Sequence, residues 1–487
     1  MPPSLSDNRN RQAWLLAAGF SLIFLAILAP GIYSVDGNAM LAVSESLVTH
    51  RGFTVPAGVG VPGVGGRIYS HWYPLLSVLN APFAYVALLV SRAVHLPFHY
   101  VAAVFALPMM GVLTAGTAAF VFLLARHLGA SAAGAWLAAV SFCIATVALA
   151  YGRTFYAEPL LAFLTAGAVY FAFGLSTRRV SYASLFAALA MLAKPTGILV
   201  GPVLAVYLLL KRAPLRRCLL PLMGTAAGFT LFAAFNVMRF GHPLDFGIRS
   251  PFQLAYLPAG VAGLIASPGY GLLWYCPTTV LAIFGFRAAR KEKKFEALSV
   301  AAVFSGFLVL HSALPYWFAA WSWGPRYLVP AVPLLCALTG LLHGGFRKAL
   351  VVLTLAGFAI NVPTTFSFYE RYYAELNDKG IPTEQTMAWS LRAPWLHGWP
   401  AAIREMQDAR QSDVREIFAE RSIPSRTISE SRALRVVAVW WWVLPLMHIP
   451  RWVGAGLSGL ILLLGCWLVL RGRPPVAEAA EYPNFGC

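Results

Sequence analysis

Between Asp7 and Glu292, more than half of the 487-residue chain, only four carboxylates occur: Asp36, Glu45, Glu158 and Asp245. A positioned carboxylate can take the proton of a hydroxyl as that oxygen attacks an electrophile, so a set this sparse marks where such chemistry can take place. Asp36 lies in YSVDGN (33–38) and Glu158 in YGRTFYAEP (151–159). Each also has a plainer reading. Asp36 can be the N-cap of the helix that follows it, and Glu158 can be a cap or the ion-pair partner of Arg153. Glu45 and Asp245 read as loop-structuring residues. Three cations are candidates for a phosphate. Lys194, in LAKP (192–195), sits at a break imposed by Pro195 and offers a point charge, or else snorkels to the surface. Arg326, in WSWGPRYL (321–328), is a fixed cation among aromatic faces, and Arg153 is the third. His71 and Tyr69 in YSHWYP (69–74), with Trp321, are candidates for holding substrate, and aromatic rings at such depth also serve as interface anchors.

The elements that must position these residues are apolar. The chain is 59% hydrophobic and 11% charged, against about 25% charged in soluble domains. It belongs in a bilayer. The net charge of +18 would fit a nucleic-acid partner in a soluble protein. Here the basic residues cluster between apolar runs, where they act as orientation signals, and nucleic acid is excluded. The apolar stretch 13–33 is long for a signal peptide and reads as an uncleaved first span. Six scattered cysteines, without close pairs or metal spacing, read as packing residues.

A span needs roughly 20 apolar residues. Candidates lie near 13–33, 100–126, 132–150, 157–175, 217–238, 271–288, 296–314, 327–343, 348–363 and 450–470. Residues 75–94 can span or lie in the interface, and 182–211 is interrupted at Lys194-Pro195. The basic clusters near 126, 178, 211–217, 287–294, 347 and 471 all face the cytoplasm if 75–94 does not cross and 182–211 crosses twice as short helices. In the alternative, 75–94 spans, 182–211 is one bent helix, and Arg126, Arg178 and Arg179 are exported. The first arrangement predicts an all-α polytopic integral membrane protein of about 12 transmembrane helices, with the four carboxylates facing outward. Met40, Val43 and Leu47 at helical spacing predict an interfacial helix in the first extracytoplasmic loop. The division expected is a transmembrane catalytic module over 1–363, an extracytoplasmic appendage over 364–449 with helical character at 399–420 and an anchor at Trp440 to Trp442, and a last span with a cytoplasmic tail over 450–487.

No glycine-rich phosphate loop, His-Glu-x-x-His motif or nucleophile elbow stands in its required context. Seven features in order instead resemble the GT-C class of polyprenyl-phosphate-sugar-dependent glycosyltransferases, particularly bacterial relatives of protein O-mannosyltransferases and of the lipid A aminoarabinose transferase. They are Asp36 after the first span, YSHWYP, YGRTFYAEP, LAKP, RFGHP (239–243), SPGYGLLWYCP (267–277) and WSWGPRYL. The resemblance covers the chain to about residue 363. It implies an inner (plasma) membrane enzyme that passes a hexosyl or pentosyl group, with inversion, from a polyprenyl-phosphate donor to a hydroxyl of an envelope lipid, glycan or protein on the extracytoplasmic side. Neither a metal nor a soluble nucleotide cofactor is implied. In that pattern Asp36 matches the first-loop acid, Glu158 the second outward acid and Lys194 a position associated with the lipid phosphate. The family often carries two adjacent acids in the first loop, whereas Gly37 follows Asp36 here. The competing reading is a transporter or flippase of a lipid-linked or small polar substrate, for which internal repeats are expected and not found. A non-catalytic envelope scaffold leaves the acids unexplained.

Overall fold

In a bilayer every backbone polar group must be satisfied within the protein, which leaves helices as the spanning element for a chain of this pattern. The computed structural model describes residues 5–32, 34–95, 98–248, 252–411 and 438–474, and it is helical almost throughout. The first half holds α1 (Leu5–Ala26), α2 (Val35–Thr49), α3 (Pro74–Val94), α4 (Phe98–His127), α5 (Ala132–Ala145), the single turn α6 (Ala148–Tyr151), α7 (Ala157–Ala172), α8 (Thr177–Ala193), α9 (Val200–Leu210) and α10 (Leu215–Phe240). There follow α11 (Leu257–Ala266), the turn α12 (Leu272–Tyr275), α13 (Ala282–Glu292), α14 (Lys294–Ser312), α15 (Val332–Thr339), α16 (Gly344–Asn361), α17 (Tyr369–Asp378), α18 (Pro394–Gln411) and α19 (Arg451–Arg471). Between α2 and α3 a two-stranded ribbon pairs β1 (Val61–Pro62) antiparallel with β2 (Ile68–Tyr69). Six described helical stretches are long and apolar enough to cross a membrane: Pro74–Val94, Val101–His127, Leu215–Phe240, Lys294–Ser312, Gly344–Thr365 and Arg451–Arg471. The shorter α5 and α7 are buried on nearly every side. Their neighbours shield them from lipid.

Contacts give the bundle two ends. At one, Trp136 donates to the Val469 carbonyl, Gly134 packs on Gly340, Arg217 donates to the Leu175 carbonyl, and Lys211 pairs with Glu296. The basic clusters gather there. α8 and α10 run in the same direction, because Arg217 meets Thr177, Ser184 meets Leu220 and Gly228 sits on Ala188. α9 runs the opposite way, since Gly201 packs against Pro221 and Thr225. The chain therefore reverses at Lys194 through the tight turn Pro195–Leu199, giving the pair of short antiparallel helices that the basic clusters require.

α3 is more instructive. It is apolar enough to span, yet Ser77 in its second turn exchanges hydrogen bonds with α2 through the Met40 carbonyl and the Ser44 hydroxyl. Its last residue, Val94, leads into α4, whose Gly111 packs on Phe24 near the end of α1. The opening turns of α4 lie beyond that level. Both ends of α3 are thus at the end of the bundle away from the basic clusters, in keeping with a place in the first loop.

Residues 364–411 fold back onto the bundle: Tyr373 donates to the Ser322 carbonyl, Trp395 to that of Pro268, and Tyr270 to those of Thr383 and Glu384. α18 realises the helix expected at 399–420 as far as Gln411, and residues 412–420 lie outside the described part. Trp440 donates to the Ala26 carbonyl and receives the chain at the head of α19.

Candidate active site

Ser34 settles the start of α2. Its hydroxyl accepts from the Gly37 amide as N-cap, so Asp36, in the first turn, is relieved of the capping role. Gly37 is required by packing: a Cβ there would strike Ile32, Ser34 and the Phe155 carbonyl. Position 37 has no room for the second acid. Glu158 occupies the first turn of α7, which begins at Ala157, two residues ahead of the start that Pro159 indicated. Lys194 is at the tip of the α8–α9 reversal, and Arg326 opens a single 3-10 turn before α15.

These four residues, far apart in the chain, meet in one charge cluster. Arg326 Nη2 is 2.5 Å from Asp36 Oδ2 and its Nε 3.0 Å from Glu158 Oε1, while Lys194 Nζ is 2.8 Å from the same Glu158 oxygen. Two anions and two cations cancel. The side-chain exposures are graded: 1% for Glu158, 7% for Lys194, 9% for Arg326 and 18% for Asp36. Asp36 is the member at the edge, and Glu158 is sealed in as the hub. The cations rest on aromatic faces, Arg326 over Tyr156 at 3.9 Å and Lys194 over Tyr327 at 4.5 Å. His311 stacks on Tyr327 at 4.5 Å and hydrogen-bonds the Phe307 carbonyl through Nδ1. Tyr156 and Tyr327 adjoin motif residues and were open to detection. His311 gave no signal in the sequence.

Other candidates fall elsewhere. Arg153 is a structural clamp: its guanidinium donates to the carbonyls of Ile27, Thr364, Thr365 and Ala438, which leaves it unsuited to a phosphate. Trp321 stacks on Tyr373 and donates to Thr383 Oγ1, so it fastens the 364–411 segment. Tyr69 is buried in β2 with its ring against Phe240, a packing role. His71 stays near the cluster, within the field of Asp36, and burial holds its imidazole below the usual range. Arg239, part of RFGHP in the sequence but given no role there, shapes this stretch by donating to the Ser70 and Trp72 carbonyls. Asp245 accepts from the Gly247 amide, a loop-structuring role.

No family model matches the chain, and no curated protein does. Among solved structures, ArnT from Cupriavidus metallidurans in the apo state aligns over 94% of this chain and 77% of its own, at 17% identity and a TM-score of 0.50. The same protein bound to undecaprenyl phosphate aligns over 94% and 77%, at 18% identity and a TM-score of 0.51. The apo oligosaccharyltransferase of Archaeoglobus fulgidus aligns over 79% of this chain and 61% of its own, at 11% identity and a TM-score of 0.46, too loose to weigh. The fold is that of ArnT, and the expectation of an all-α, polytopic, GT-C-like membrane protein is met.

Proposed function

We propose that this chain is a membrane glycosyltransferase of the inner membrane that moves a sugar from a polyprenyl-phosphate donor to an acceptor hydroxyl on the extracytoplasmic side. The observation that carries the reading is the Asp36–Arg326–Glu158–Lys194 cluster at the end of the bundle opposite the basic clusters. A fold shared with a protein that binds undecaprenyl phosphate supports it.

The chemistry follows from the cluster's neutrality. A donor phosphate arriving beside Arg326 and Lys194 competes with Asp36 for the guanidinium, and Asp36, the outermost and least buried of the four, is the carboxylate that yields. Freed, it accepts the proton of the acceptor hydroxyl as that oxygen bonds to the anomeric carbon from the face opposite the phosphate. The bond from that carbon to the phosphate oxygen breaks, polyprenyl phosphate leaves, and Lys194 and Arg326 take up the charge that develops on it. A single displacement inverts the anomeric centre. Glu158 acts as a positioning residue: buried, with Oε1 shared by both cations, it holds Lys194 and Arg326 in one place and is a poor proton acceptor. This revises the catalytic role expected for it from the sequence. No metal or nucleotide is required by the scheme, and the acceptor belongs to the envelope lipids, glycans or proteins.

The test uses the full chain in proteoliposomes with undecaprenyl-phosphate sugars. An Asp36→Asn variant is expected to bind undecaprenyl phosphate as well as or better than wild type while transferring no sugar. Full transfer by that variant would remove Asp36 as the base, and transmembrane movement of the lipid without transfer would favour a flippase. Mass spectrometry of envelope glycolipids and glycoproteins with and without the gene identifies the acceptor.

A further inference from the structure

α18 carries an apolar surface that the charge cluster does not use. Its inner side rests on the bundle: Gly398 packs against Pro363 and Trp323, and Ala402 and Glu405 are sealed beneath. Its outer side changes character along its length. Leu396, Trp399 and Ile403, spaced along one helical face, are 39%, 45% and 47% exposed. The exposed residues that follow, Arg404 and Gln407, are polar.

Two tryptophans distinguish lipid from water as the surroundings of this surface. Trp399 donates from its indole nitrogen to the Ala359 carbonyl at 2.9 Å, close to the outer end of α16. In a continuing helix that carbonyl would accept from the amide four residues on, but residue 363 is proline and has none to give. Trp274, partly exposed on α12, donates to the Ala266 carbonyl at the end of α11 at 2.8 Å and stacks on Trp395. Water would satisfy both carbonyls unaided, whereas in hydrocarbon each would be left bare at a cost of several kcal/mol. With their nitrogens committed to the protein, the two indoles present only carbon outward. The surface also continues one that faces lipid. Val352, Leu355 and Phe358 stand exposed along α16, which belongs to a stretch long and apolar enough to span, and Ala359 follows them directly.

We propose that the first half of α18 is seated in the membrane: Leu396, Trp399 and Ile403 lie in the boundary between headgroups and acyl chains of the outer leaflet, and from Arg404 onward the helix stands in water. Interfacial helices bury one apolar face at that depth, with tryptophan at the headgroup level. The bilayer is the occupant because the patch runs without a polar rim into the lipid-facing side of α16, so a protein seated on it would have to reach into the membrane as well. Residues 364–411 are then held by the Arg153 clamp on one side and by lipid on the other, and the segment that covers the outer end of the bundle is part of the membrane surface.

The experiment places a nitroxide on the single thiol of Leu396→Cys or Ile403→Cys, in the full chain cleared of native cysteines and reconstituted in vesicles of phosphatidylethanolamine and phosphatidylglycerol. Leu355→Cys serves as the lipid reference and Gln407→Cys as the water reference. Oxygen concentrates in hydrocarbon and a nickel chelate in water, so the ratio of their collision rates with the label reads depth. Both test positions are expected to favour oxygen several-fold more than Gln407→Cys does, and less than Leu355→Cys. Ratios equal to that of Gln407→Cys at both positions would put the face in water and overturn the proposal. Protection from both agents would overturn it too, as the mark of a second copy or another protein covering the face. The two positions are read separately, so the failure of one variant to fold leaves the other to decide.

Discussion

Arg326 holds Asp36 through Nη2 at 2.5 Å and Glu158 through Nε at 3.0 Å, so one guanidinium joins the acid of the first loop to the acid at the head of α7. Two edges of a planar fork make that geometry, and an ammonium offers only one point of charge. Arg326→Lys is therefore expected to keep the fold and lose sugar transfer by about 100-fold or more, equivalent to about 2.7 kcal/mol in the transition state. Steady-state transfer in proteoliposomes checks it; activity within a few-fold of wild type would mean that bridging is unimportant.

Glu158 is expected to matter for stability more than any other member of the cluster. Its Oε1 accepts from both Lys194 and Arg326, and its loss leaves two buried cations facing one carboxylate at the edge. Removing one partner of a buried ion pair costs about 3–5 kcal/mol. Glu158→Gln should lower the thermal midpoint of the detergent-solubilised protein sharply, and Lys194→Met in the same chain should recover part of the loss. An additive double variant would show that the two side chains act independently.

The members of the cluster were legible in the sequence because scarcity is a strong signal in an apolar chain, but their pairing was not: the sequence offered Arg153 as the partner of Glu158, which meets Lys194 and Arg326 instead. Asp36, Glu158, Lys194 and Arg326 came from that census and from the motifs around them. Arg153 was read as a phosphate ligand because its partners are backbone carbonyls, which carry no mark in a sequence. Helix existence was clearer than helix limits. The expected spans 271–288 and 327–343 are split into short pieces by Pro277 and by the Arg326–Leu328 turn, which packing inside the bundle tolerates.

Arg153 carries a prediction of its own. Its four carbonyl acceptors come from the end of α1, the turn after α16 and Ala438, two residues before Trp440. A charged hydrogen bond contributes about 1.5–3 kcal/mol, and no other residue type can bridge all four sites. Arg153→Ala is expected to loosen residues 364–411 before the bundle melts. Limited proteolysis from the extracytoplasmic side should cut that segment faster than in wild type, and equal rates would refute the clamp.

Orientation is testable at two exposed positions. Arg178 lies at the end of the bundle that gathers the basic clusters, while Leu391, 83% exposed, lies on the segment that covers the opposite end. In a chain cleared of native cysteines, Arg178→Cys should react with an impermeant maleimide only after the membrane is opened, and Leu391→Cys should react in intact cells. The reverse pattern would invert the topology and move the charge cluster to the cytoplasm.

Glu405 offers a stability test that is independent of the reaction. Almost wholly buried on α18, it accepts from Ser367 Oγ at 2.9 Å and lies 3.2 Å from Arg371 Nη1. Arg371 also pairs with the more exposed Glu375 at 3.0 Å, so one guanidinium serves two carboxylates, and burial raises the Glu405 carboxyl from about 4.5 to about 8. The folded protein then keeps a proton that the unfolded chain releases. Stability from this group is fully present below about pH 4.5 and is lost as pH rises to about 8, where the deficit reaches the order of a few kcal/mol. Glutamine has no proton to lose. Glu405→Gln should match wild type in thermal midpoint near pH 5 and exceed it at pH 8.5, with the gap opening steadily between. A Glu405→Gln chain less stable than wild type at pH 8.5 would mean that the Arg371 pair outweighs burial and that Glu405 is ionised in the folded protein.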